Sequence, residues 1–146
     1  MIHSCFFQRT WALAGAMALA ATAVHAMTVV IEREPNNTLA SAQAVDPNKL
    51  PLVQGTMAST SDVDVYRVGY IPGGECIAAT LAPNPSGDYN LALVDKNNRT
   101  IASSRNGVGQ MDPVTSCTVQ GPVYLRVTYA SGPVGPAGTY SLEISY

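Results

Sequence analysis

The sequence predicts an all-β fold: a jelly-roll-like, two-sheet β-sandwich of about seven to eight strands. Three observations carry this. Short apolar runs alternate with period two, Pro, Gly and Asn turn signals separate them, and no helix-period segment of useful length follows residue 26. The nearest helical candidate is Thr38 to Val45, an Ala-rich stretch of one or two turns at most.

The strands follow in order. Val53 to Thr56 is short. Val63 to Ile71 places Tyr66, Val68 and Tyr70 on one face, and Pro72-Gly73-Gly74 closes it as a turn. Glu75 to Ala82 turns Ile77, Ala79 and Leu81 to one side and Cys76 to the other. Beyond the Pro83–Gly87 loop, Tyr89 to Asp95 aligns Tyr89, Leu91 and Leu93. Lys96-Asn97-Asn98 then connects tightly into Arg99 to Ser103, the clearest hairpin signal in the chain. Val114 to Val119 contains Cys117, and Val123 to Tyr129 keeps Val123, Leu125 and Val127 in phase. Ser131 to Gly138 is a Gly/Pro loop whose two collagen-like triplets are too few for a triple helix. The last strand alternates Tyr140, Leu142, Ile144 and Tyr146 against Thr139, Ser141, Glu143 and Ser145.

Residues 1–26 read as a secretory signal peptide. Arg9 gives a basic start, Trp11 to Val24 is apolar and Ala-rich, and Val24-His25-Ala26 offers small residues for cleavage after Ala26, with Ala23 the alternative. The apolar run is too short to span a bilayer. The remaining single domain, residues 27–146, is expected in the periplasm or outside the cell. Both histidines (His3, His25), both Phe (Phe6, Phe7) and the lone Trp11 leave with the leader. Seven basic and ten acidic residues then give a net charge near −3, which is no footprint for nucleic acid. The core must be built from Val, Leu, Ile, Ala and Tyr, and any buried Tyr hydroxyl needs a partner. Cys76 and Cys117 remain, an even count that favours a disulfide in an exported chain. Such a bridge would close a loop of about 40 residues, contributing about 4 kcal/mol in the chain-entropy account.

In order, these elements resemble the bacterial pre-peptidase C-terminal domain family. The likeness rests on Glu34-Pro35-Asn36-Asn37-Thr38, and on Gly55-Thr56 leading to Asp62-Val63-Asp64-Val65-Tyr66. It continues in Tyr89-Asn90-Leu91-Ala92-Leu93-Val94-Asp95, in Gly121-Pro122-Val123-Tyr124-Leu125-Arg126-Val127, and in Gly138-Thr139-Tyr140-Ser141-Leu142. The resemblance implies a sandwich without catalytic machinery. Such domains usually follow a secreted hydrolase, and related domains of clostridial collagenases bind collagen and calcium. In this sequence no catalytic domain precedes the module.

Calcium takes six to eight oxygen ligands. Glu32 and Glu34 lie two apart, as do Asp62 and Asp64, so each pair projects one way from an extended segment. If the segments meet, four carboxylates and the Asn36 and Asn37 amides converge. By the resemblance, Glu32, Glu34, Asn36 and Asp62 or Asp64 are the ligands. The competing reading makes the Asn and Asp residues turn caps and leaves the Glu side chains solvated. Without histidine, no Ser-His or Cys-His nucleophile is available, so no enzyme is expected. Tyr124, Tyr66 and Tyr129 are the candidate contact residues for an extracellular polysaccharide or protein. The leading expectation is thus a secreted, non-catalytic binding module stabilised by calcium. The alternative is an accessory or chaperone-like factor for a separately encoded secreted hydrolase.

Overall fold

The computed structural model describes residues 27–145. The expected signal peptide and Tyr146 lie outside the described residues. Among the described residues, ten strands form two five-stranded sheets. The strands are β1 (Thr28–Ile31), β2 (Gln43–Ala44), β3 (Pro51–Thr56), β4 (Val63–Ile71) and β5 (Ile77–Pro83), followed by β6 (Asp88–Asp95), β7 (Thr100–Ser104), β8 (Asp112–Ser116), β9 (Gly121–Ser131) and β10 (Thr139–Ser145). The first sheet runs β1-β3-β10-β5-β8 and the second β2-β4-β9-β6-β7. From β3 onward the chain changes sheet at every connection except β6 to β7. That exception is the hairpin expected at Lys96-Asn97-Asn98. Its Asn98 takes a left-handed φ of 62°, a conformation that Asn tolerates better than most residues.

The period-two pattern locates the core. Ile77, Ala79 and Leu81 of β5, Leu91 and Leu93 of β6, Val123, Leu125 and Val127 of β9, and Leu142 and Ile144 of β10 are all buried in one cluster. Tyr66, Tyr89 and Tyr140 supply the bulk that Phe and Trp would otherwise provide. Tyr89 meets Tyr140 edge to face, centroids 6.2 Å apart, and donates its hydroxyl to Pro133 O at 2.6 Å.

The structure departs from the sequence reading in three places. First, β1 and β2 precede the earliest strand expected. Residues 38–45 are not helical: Thr38 and Ser41 exchange hydrogen bonds through hydroxyls and backbone, which closes a turn instead. Gln43 and Ala44 then pair parallel to Tyr66 and Arg67 of β4. Second, the register of β4 against β9 shifts between Arg67 and Gly69. This bulge reverses the phase, so Ile71 is buried and Tyr70 is 62 % exposed. Third, the strand holding Val114 ends at Ser116, with Cys117 just beyond it. Cys76, just before β5, and Cys117 form a disulfide across a separation of 41 residues. Because Ile77 pairs with Ser116, the bridge extends that ladder at the edge of the first sheet.

Gly55 of β3 faces Tyr140 of β10 in the ladder. A methyl group on Gly55 would overlap the Tyr140 ring. Gly55→Ala is therefore expected to lower stability by about 1–3 kcal/mol, measured by urea unfolding. An unchanged midpoint would show that Tyr140 moves aside at no cost.

Candidate metal centre

β1 lies at an edge of the first sheet and β2 at an edge of the second, so residues 32–42 cross from one sheet to the other. At the start of the crossing, Glu32 N–H donates to Gln54 O at 3.0 Å, continuing the β1–β3 ladder. At the far side Val65 N–H donates to Asn36 O at 3.1 Å, joining the crossing to β4. Gln43 ties the segment again: its Oε1 accepts from Arg33 N at 2.7 Å and its Nε2 donates to Ile31 O at 2.9 Å.

Carboxylates converge at this crossing. Oxygen atoms of Glu32, Glu34 and Asp64 lie within 4.8 Å of one another, from half-buried, exposed and buried side chains respectively. Glu32 Oε2 accepts from Thr56 N at 2.6 Å, and Glu32 Oε1 accepts from Asn36 Nδ2 at 3.0 Å and from Tyr66 Oη at 3.0 Å. Tyr140 Oη donates to Asp64 Oδ2 at 2.6 Å and stands 3.2 Å from Glu32 Oε1. The two tyrosine hydroxyls are 2.6 Å apart. Glu34 Oε2 accepts from Asn36 N at 2.8 Å.

Counting protons shows what this cluster lacks. Two hydroxyl protons serve the contacts Tyr66–Glu32, Tyr66–Tyr140, Tyr140–Asp64 and Tyr140–Glu32. Nothing among them neutralises the carboxylates. Without a cation, Asp64 keeps its own proton: burial raises its pKa from 3.8 to about 9, and hydrogen bonding to the Glu32 carboxylate adds to the rise, while the Tyr140 hydroxyl opposes it. Burial, and then the charge of Glu32, pushes the Tyr66 hydroxyl well above its ordinary range. Burial does the same to Tyr140. Both phenols therefore remain donors at any physiological pH.

The fit to a hard cation rests on two atoms. Asn36 Oδ1 and Asp64 Oδ1 are buried and have no hydrogen-bond partner among the described residues, and both residues are 0 % exposed. A buried polar atom without a partner is costly, and oxygen donors beside clustered carboxylates suit calcium. Glu32, Glu34, Asn36 and Asp64 are thus brought together as the sequence reading expected. Asp62 is not part of the cluster. Its Oδ1 accepts from Val63 N at 2.9 Å and Asn37 Nδ2 at 3.1 Å, and its Oδ2 from Ala58 N at 2.6 Å. Asp62 precedes β4 and caps the turn before it, so strand alternation does not align it with Asp64. The sequence reading missed Tyr140 as a member of the site. The available signal was its inward phase in β10, which obliges its hydroxyl to find a partner.

The contact tyrosines separate. Tyr66 is fully buried and offers no surface to a ligand. Its hydroxyl belongs to the cluster just described. Tyr124 and Tyr129 are half-buried. Tyr129 donates to Gly132 O at 3.1 Å and lies 6.3 Å from the Tyr89 ring.

No protein-family model matches the sequence, and a search of curated proteins finds no match. Among solved structures, the fold is similar to the pre-peptidase C-terminal domain of a collagenase from Bacillus anthracis: 13 % identity, 82 % of this chain and 93 % of that chain, TM-score 0.49. It is also similar to Aeromonas hydrophila PliG, a periplasmic inhibitor of g-type lysozyme: 16 % identity, 82 % of this chain and 96 % of that chain, TM-score 0.44.

Proposed function

We propose that the chain is a secreted, non-catalytic β-sandwich module that binds an extracellular partner and is stabilised by calcium at the sheet crossing. The observation that carries the metal reading is the pair of unpartnered buried oxygens, Asn36 Oδ1 and Asp64 Oδ1, beside three converging carboxylates. Glu32, Glu34 and Asp64 would supply charged oxygens and Asn36 its amide oxygen. The cation would neutralise the carboxylates and hold residues 27–36 against both sheets. The reading as a binding module is supported by the lack of histidine after His25 and by the engagement of Asp62 and Asp64 in structural hydrogen bonds. Among the described residues, no helix is long and apolar enough to cross a membrane.

Calcium at about a hundred times its Kd should add about 2.7 kcal/mol, which raises Tm by several degrees. Melting curves in millimolar calcium and in EDTA check this. Superimposable curves would sink the metal site.

In EDTA the site also predicts a pH dependence. The folded chain retains a proton on Asp64 up to about pH 9, whereas the unfolded chain loses it near 3.8. Between these values the folded state binds more protons, so the contribution of Asp64 to stability falls as pH rises. Asp64→Asn, whose amide can donate where the protonated acid did, should flatten that decline in EDTA and abolish the calcium response. A variant that still responds to calcium as the wild type does would remove Asp64 from the ligand set.

A further inference from the structure

The outer face of the second sheet carries two arginines for which the metal centre has no use. On adjacent strands, Val63 faces Thr128, Val65 faces Arg126 and Arg67 faces Tyr124. On the other flank, Arg126 pairs with Ala92 and Tyr124 with Val94. Alternation turns these side chains away from the core, since their neighbours Tyr66, Leu125 and Val127 point into it. Val65 and Val94 are buried yet lie outside the core cluster, so they are covered from the outer side.

The Arg126 guanidinium is held in place. It donates to Asn98 Oδ1 at 2.8 Å. Asn98 is fixed in turn by its hairpin, in which Asp95 Oδ1 accepts from Asn97 N at 2.8 Å and Arg99 N at 2.9 Å. The backbone N–H of Arg99, chief among several causes, holds the Asp95 carboxyl below its ordinary pKa. Among the described residues, only Lys49–Asp46 and Arg99–Asp95 form ion pairs, so neither Arg67 nor Arg126 has an acidic partner. This holds in a chain whose net charge is −2. A cavity of about 330 Å³ lies beside Arg126, walled by Leu39, Val63, Val65, Asn98 and Thr128 among others. Thr128 makes no side-chain hydrogen bond among the described residues.

A half-buried guanidinium oriented by a neutral amide retains donors for a carboxylate, and the planar fork suits that anion. The Thr128 hydroxyl gives a second donor on the same wall. The rest of the lining combines Leu39, Val63 and Val65 with the polar Asn37, Thr38 and Asn98, and holds no aromatic ring on which a sugar could stack. That favours an acidic side chain flanked by apolar residues over a uronic acid. Tyr124 and Arg67 continue the row, and both residue types are enriched at protein interfaces.

We propose that this face docks an acidic segment of a protein partner, with an Asp or Glu carboxylate entering the cavity against Arg126 and Thr128 while Arg67 and Tyr124 contact the flanking residues. The proposal rests on the reading of the chain as a binding module and names the surface and the chemistry of its partner.

The test is fluorescence anisotropy of a labelled, acetylated hexapeptide of alternating Glu and Leu, titrated with the secreted protein in calcium. Binding should be saturable and should weaken steeply between about 50 mM and about 500 mM salt. Arg126→Gln should weaken it at least about tenfold and Arg67→Gln about threefold, the scale of losing one charge-assisted contact. Both variants should keep the wild-type Tm and calcium response. Should Arg126→Gln fold poorly, Asn98→Gly, which suits the left-handed φ of that position, frees the guanidinium and is expected to weaken binding with the fold intact. No binding by the wild type, or equal binding by Arg126→Gln or by a folded Asn98→Gly, overturns the proposal. Tighter, Arg126-dependent binding of a hexameric oligouronate overturns the choice of a polypeptide partner. A calcium-dependent Tm without peptide binding defeats the docking proposal alone. Peptide binding without a calcium response defeats the metal reading alone.

Discussion

Glu32 ties the crossing segment to both sheets through a single carboxylate. One oxygen accepts from the Thr56 backbone in the first sheet. The other faces Tyr66 of the second sheet, Tyr140 of the first, and the Asn36 amide in the crossing segment. Thr56, Tyr66 and Tyr140, which lie 24, 34 and 108 residues from Glu32, therefore meet at one side chain. The segment is otherwise held by an edge strand of four residues and a few backbone hydrogen bonds, and edge strands fray easily. The polar cluster makes the crossing part of the sandwich.

The composition of the chain forces this solution. Residues 27–145 contain no Phe or Trp, so tyrosine fills the large core positions. Each inward tyrosine brings a hydroxyl that must be satisfied in a dry interior. Tyr89 reaches the Pro133 carbonyl at one end of the sandwich. Tyr66 and Tyr140 reach each other and the carboxylates at the edge. Once two phenols point at Glu32 and Asp64, the site has donors but too few positive charges. A proton on Asp64 or a hard cation makes up the difference. On the proposed metal reading, the choice of tyrosine for the core couples stability to ion binding.

The sequence reveals the sandwich well because period-two alternation reports burial directly. Ile77, Ala79 and Leu81, or Leu142 and Ile144, leave no doubt about their face. It fails where alternation is interrupted or absent. The bulge between Arg67 and Gly69 leaves no local signal, so alternation alone puts Tyr70, not Ile71, on the face of Tyr66 and Val68. The two-residue β2 carries too little pattern to register, and its Ala-rich approach resembles a helix. The same limit divides the acidic pairs. Glu32 and Glu34 stay together, whereas Asp62 sits in a turn and escapes the two-residue rule that holds inside β4. The role of Tyr140 depends on a partner 108 residues away, which no local pattern can specify. Arg126 is similar: its lack of an acidic partner is a property of the folded surface.

Glu32 fastens residues 27–36 to both sheets. Residue-resolved amide hydrogen exchange on the wild type and Glu32→Ala, each in EDTA, tests it most directly. Exchange is expected to be faster in the variant at Thr56, Asn36 and the β1 amides, while the β6–β9 ladder keeps its protection. Unchanged protection of Thr56 and the β1 amides in a folded Glu32→Ala chain would contradict it.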